Sequence, residues 1–95
     1  MRISLFYINT IKQSILSFDK KAKVFLFGSR VDNRKKGGDI DILVVSEKLT
    51  FSHELKIHSK IFKHIEEQKI DIIIAKKKEL NKPFFKLIMP QAVPL

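Results

Sequence analysis

Apolar residues at Leu5, Ile8, Ile11, Ile15 and Phe18 recur at intervals of three and four. That spacing gathers them on one side of a helix and predicts an amphipathic helix over residues 5–18. Val24 to Phe27 is instead a continuous apolar run that stops at Gly28, the pattern of a buried strand ending in a turn. A polar loop from Ser29 closes on the glycine pair Gly37 and Gly38. Asp39 to Val45, rich in Ile, Leu and Val, then suits one strand and is too short for an ordinary helix. Helical spacing returns at Leu55, His58, Ile61, Phe62 and Ile65, behind Ser52 as a weak cap, and predicts a second helix reaching about Gln68. Ile70 to Ala75, bounded by lysines, reads as a third strand. Pro83 suits the first turn of a short helix through Met89, and Pro90 and Pro94 stop anything helical beyond it.

The order helix, strand, loop, strand, helix, strand, short helix predicts an α/β (α+β) fold, a small mixed sheet with helices on one face. The first two strands are expected to be antiparallel neighbours, and the other face of the sheet is left for a site or a partner. A chain of 95 residues fits one domain spanning 1–95. Its 44% hydrophobic and 31% charged residues suit a packed core and not a disordered chain. Without cysteine, disulfides and thiolate zinc sites are excluded. The apolar start at Ile3 to Ile8 is interrupted by Asn9, Lys12 and Gln13 with no small-residue cleavage site after it, so a cytoplasmic location is expected. No run is long enough to span a bilayer, and no membrane partner is expected. Nineteen Lys and Arg against ten Asp and Glu give a formal charge of +9, a field that attracts polyphosphates, nucleic acid or acidic proteins without choosing among them.

The chemistry is concentrated in three aspartates. Alternation along a strand puts Asp39 and Asp41 on the same side. Like charges so placed raise each other's proton affinity, a cost that a cation offsets. Carboxylate oxygens suit Mg²⁺, which also takes phosphate oxygens of a nucleotide. Asp71 is a lone carboxylate between Ile70 and Ile72; beside the second strand it would complete three carboxylates for two metal ions, and it is a candidate base for an attacking hydroxyl. Gly28 lets the chain turn with exposed amides and Ser29 adds a hydroxyl, so the pair can cradle phosphate. Arg30, with Arg34, Lys35 and Lys36, can add charge-assisted contacts to a triphosphate, and Arg30 is singled out as a nucleotide contact.

The strand, Gly-Ser, spacer and carboxylate pair read GSRVDNRKKGGDID, followed later by KIDIII. This arrangement resembles the minimal nucleotidyltransferases of the DNA polymerase β superfamily, over most of the chain. The resemblance implies a palm-like nucleotidyltransferase fold, with Gly28 and Ser29 holding the triphosphate of ATP, Asp39 and Asp41 the magnesium ions, and Asp71 joining them and the activated hydroxyl. Two departures stand out: the spacer from Arg30 to Gly38 is one residue short of the common length, and Gly38 occupies a position where serine often precedes the first Asp. Neither removes a metal ligand. Free-standing domains of this size in that family are often antitoxins of a HEPN-domain ribonuclease, some of which transfer AMP to a tyrosine of that toxin; the same role is what the resemblance implies here.

Two other readings remain in view, a non-catalytic antitoxin that neutralises its partner by binding and a basic RNA-binding module. The module lacks the interleaved aromatics of a stacking platform, so a nucleic-acid partner is not favoured. A phosphoaspartate enzyme is disfavoured because the apolar run follows the carboxylate pair instead of preceding it. No Gly-Lys-Ser or Gly-Lys-Thr is present for a Walker loop.

Overall fold

The computed structural model describes residues 1–34, 38–65 and 68–95. Its elements are α1 (Leu5–Leu16), β1 (Lys23–Phe27), β2 (Ile40–Val45), α2 (His53–Phe62), β3 (Ile70–Ala75), α3 (Pro83–Ile88) and β4 (Val93–Pro94), with 3-10 turns at Gly28–Val31, Lys77–Asn81 and Met89–Gln91. The candidate contacts Lys35 and Lys36, with Gly37, lie outside the described residues. So does the stretch 66–67 over which the second helix was expected to continue; α2 itself ends at Phe62, with Lys63 as its C-cap.

The four strands form one mixed sheet in the order β3-β2-β1-β4. β1 and β2 are antiparallel, as their connection predicts. β2 and β3 are parallel, joined by the α2 crossover that a parallel pair requires. α1 and α2 cover one face, where Ile11 and Ile15 of α1 and Ile57 and Ile61 of α2 meet Val24, Leu26, Ile42, Val44 and Ile72. Each such side chain, fully buried, contributes roughly 2 kcal/mol of transfer free energy. The short α3 adds to the expected picture by packing on the opposite face, where Phe85 joins Phe27, Leu43 and Ala75. From Ile42 to Val45 β2 is therefore apolar on both sides, which explains that run of Ile, Leu and Val.

Two local readings change. On α2 the buried row is Ile57 and Ile61, followed by Ile65 beyond the helix end, whereas Leu55 is 75% and Phe62 44% exposed; the sequence carries two apolar stripes on this helix, and spacing alone does not choose between them. Pro90 does not stop the helical path as expected but sits inside the 3-10 turn Met89–Gln91 that follows α3, and Val93–Pro94 pairs with β1, proline being tolerated because this is an edge strand.

One polar clasp ties the end of the sheet opposite Gly28. Asp19, 9% exposed, accepts hydrogen bonds from Ser46 Oγ (2.6 Å) and the Lys21 amide (3.0 Å), and Ser46 Oγ in turn accepts from the Lys48 and Leu49 amides. The Ser46 hydroxyl, then the Lys21 amide, hold the Asp19 carboxyl below its ordinary range. A depressed carboxyl stabilises the fold above the unfolded-state value near 4 and loses that contribution as pH falls through the folded-state value. Asp19→Ala is therefore expected to cost about 2 kcal/mol at pH 7. The gap from the parent should begin to narrow as pH falls below about 4, as read from denaturant melts at pH 7 and at a series of lower pH values.

Candidate functional site

The backbone register brings the predicted residues to one end of the sheet. Asp41 pairs with Asp71 across β2 and β3 and with Phe27, the residue before Gly28, across β1 and β2. Strand alternation puts Asp41 and Asp71 on the face of Leu43 and Ile73, away from α1 and α2. Asp39 stands just ahead of β2, half-exposed, with its Oδ2 3.5 Å from Lys69 Nζ. Burial, and then the charges of Asp71 and Asp39, push the Asp41 carboxyl above its ordinary range, with Lys69 opposing them.

Two glycines shape the loop by close approach. Gly28 has φ +77°, and a Cβ there would run into the Asp41 carboxylate. Gly38 has φ +91°, and a Cβ there would run into Ser29 Oγ. In this backbone a serine at position 38 would meet both obstacles, which accounts for glycine there.

Arg30 is engaged within the protein. Its guanidinium donates to the carbonyl oxygens of Gly38 (3.0 Å) and Arg2 (2.9 Å) and to Gln68 Oε1 (2.9 Å). Arg2 answers from the other side: its amide donates to the Arg30 carbonyl (2.7 Å), and its side chain to the carbonyls of Asp32 (2.8 Å) and Ser29 (2.9 Å). The two arginines clasp the Gly28–Val31 turn. Arg2, Gln68 and Lys69 were not predicted, and no local motif marks them; they reach the site only through the fold. Arg30→Ala is expected to raise the KM for nucleotide about tenfold by loosening the turn, and to cost roughly 1 kcal/mol of stability, read from steady-state kinetics beside thermal melts.

Hard carboxylate oxygens on neighbouring strands, one of them already burdened by burial and like charge, have the donor chemistry a divalent cation requires. Among the described residues, no three His, Cys, Asp or Glu side chains converge into a closed metal cluster. The carboxylates form a row, with Asp39 turned to Lys69. A cavity of about 780 Å³ lies at the far end of the sheet. It is lined by Lys23, Phe25, Val45, Lys48 and Leu80 and contains none of the predicted site residues; the strand register and the charge interactions place the chemistry better than cavity size does.

The family model of the nucleotidyltransferase domain matches residues 8–89. The chain belongs to this family. The match takes in the Gly28 turn, all three aspartates and the elements from within α1 to α3; Arg2 lies ahead of it. General nucleotidyl transfer is the activity this domain carries. No curated protein matches the chain in sequence. Among the described residues no helix of this nucleotidyltransferase domain is long and apolar enough to cross a membrane.

Proposed function

We propose that this nucleotidyltransferase domain transfers AMP from ATP to a hydroxyl, most specifically a tyrosine, of a HEPN-domain ribonuclease, and so acts as its antitoxin. The observation that carries the transfer chemistry is the register that sets Asp41 beside Asp71 at the Gly28 turn. The acceptor protein rests on the family resemblance.

Gly28 and Ser29 receive the triphosphate, and the Arg2 and Arg30 clasp keeps their turn in place. Asp39, Asp41 and Asp71 would hold magnesium, which when bound offsets the charge of carboxylates and phosphates. Asp71 accepts the proton of the acceptor hydroxyl; the hydroxyl oxygen bonds to the α-phosphorus, the bond from that phosphorus to the bridging oxygen breaks, and pyrophosphate leaves. A basic chain of net charge +9 favours approach of the anionic nucleotide.

One observation favours a second reading. Asp39 is paired with Lys69, as suits an antitoxin that neutralises by binding alone. Intact mass of the candidate HEPN partner, after incubation with this protein, Mg²⁺ and ATP, separates the two. One or more AMP units on the partner, lost in the Asp39→Ala, Asp41→Ala variant, is expected. A stable complex without mass gain would leave binding as the function.

A further inference from the structure

The cavity at the far end of the sheet, about 780 Å³, is of the size that encloses one small organic molecule. Its floor is apolar. Phe25 of β1, Val45 of β2, Leu80 of the turn Lys77–Asn81 and Met89 beyond α3 are half-buried there, packed beside the Phe27, Leu43 and Phe85 cluster. Its rim is basic. Lys20, Lys21, Lys23, Lys48 and Lys77 line it and are exposed, and among the described residues none of them is ion-paired. Lys23 stands opposite Val45 in the β1–β2 register, so its carbon stem borders the floor while its ammonium reaches water.

The other polar side chains around the cavity are engaged within the protein. Asp19 and Ser46 hold each other and the neighbouring amides. Ser17 Oγ donates to the Ser14 carbonyl (2.7 Å) and accepts from Lys60 Nζ (2.6 Å), and Glu47 Oε2 accepts from the Lys77 amide (2.8 Å). A nucleobase or a sugar, whose polar edges need several hydrogen-bond partners, would strand them against carbon on this floor. The surfaces left uncommitted are carbon below and ammonium groups around it, which match a hydrocarbon body that ends in an anion.

We infer that this cavity binds a single amphipathic anion, with its hydrocarbon body laid on Phe25, Val45, Leu80 and Met89 and its carboxylate or phosphate head held among the lysines. Asp41 and Asp71 lie at the other end of the strands, so the inference stands whether or not AMP transfer does.

The probes are dodecanoate and dodecyl phosphate, kept below their micelle concentrations, and the tighter of the two identifies the head. Titration calorimetry with the full chain is expected to give a Kd on the order of tens of micromolar. Decanoate should bind about tenfold more weakly than dodecanoate, because two fewer methylenes are buried, and the cation dodecyltrimethylammonium should not bind. Amide NMR shifts should centre on Lys23, Phe25, Val45 and Leu80. Lys23→Gln with Lys77→Gln should weaken binding about fivefold, whereas the same neutralisation at Lys56 and Lys63, exposed on α2 and at its C-cap, should leave it unchanged. All four lysines are exposed, so both variants keep the fold. Four results would each overturn the inference: no saturable binding of either anion, an affinity indifferent to chain length or to the sign of the head, equal weakening by the two lysine pairs, or binding only to phosphatidylglycerol vesicles, which would make the ligand a membrane surface.

Discussion

Asp41→Asn is expected to abolish nucleotidyl transfer, by about a thousandfold or more in kcat, and at the same time to raise the melting temperature. The substitution keeps the shape of the side chain and removes one charge from a row of three. In the folded state that charge is penalised by burial and by Asp71 and Asp39, whereas in the unfolded chain it is solvated. Neutralising it relieves the fold and should raise the melting temperature. The opposed signs make the experiment informative: a carboxylate kept for structure would lower both quantities when removed, and one without a role would change neither. Scanning calorimetry at pH 7 beside a transfer assay reads both.

Gly28→Ala is expected to lower transfer about a hundredfold and to cost roughly 2 kcal/mol of stability. Part of that cost is the left-handed backbone at φ +77°, which an L side chain adopts at about 1 kcal/mol. The remainder arises because the new methyl occupies space held by the Asp41 carboxylate, forcing that side chain off its position. A double-mutant cycle separates the two parts. In an Asp41→Ala background the methyl has room, and the cost of Gly28→Ala should fall to the backbone part alone. An unchanged cost would mean that Asp41 does not lean over the turn.

The positions of these residues along the chain were readable because each depends on local pattern. β3 at Ile70–Ala75 and the antiparallel β1 and β2 follow from short apolar runs bounded by glycine, carboxylate or lysine, and the aspartates stand out as charges within those runs. What decides the site beyond that is tertiary. The parallel register that sets Asp41 against Asp71 depends on how α2 crosses back over the sheet. The clasp of Arg2 and Arg30 joins residues far apart in sequence that carry no shared signature. α2 shows the limit most clearly: Leu55, His58 and Phe62 keep helical spacing as well as Ile57, Ile61 and Ile65 do, and only packing against β3 and α1 selects the isoleucines for the core. β4 escaped notice because two residues, one of them proline, are too few to leave a periodic trace.

The central claim is that Gly28, Ser29 and the three aspartates form one metal and nucleotide site at this end of the sheet. Its most direct test is a backbone-amide NMR spectrum of the protein with Mn²⁺ and a non-hydrolysable ATP analogue. Paramagnetic broadening should centre on the amides of Gly28, Ser29, Asp39 to Ile42 and Asp71, and should disappear in the Asp39→Ala, Asp41→Ala variant. Broadening centred instead on Lys23, Lys48 and Leu80 at the far end of the sheet, or unchanged in the variant, would contradict it.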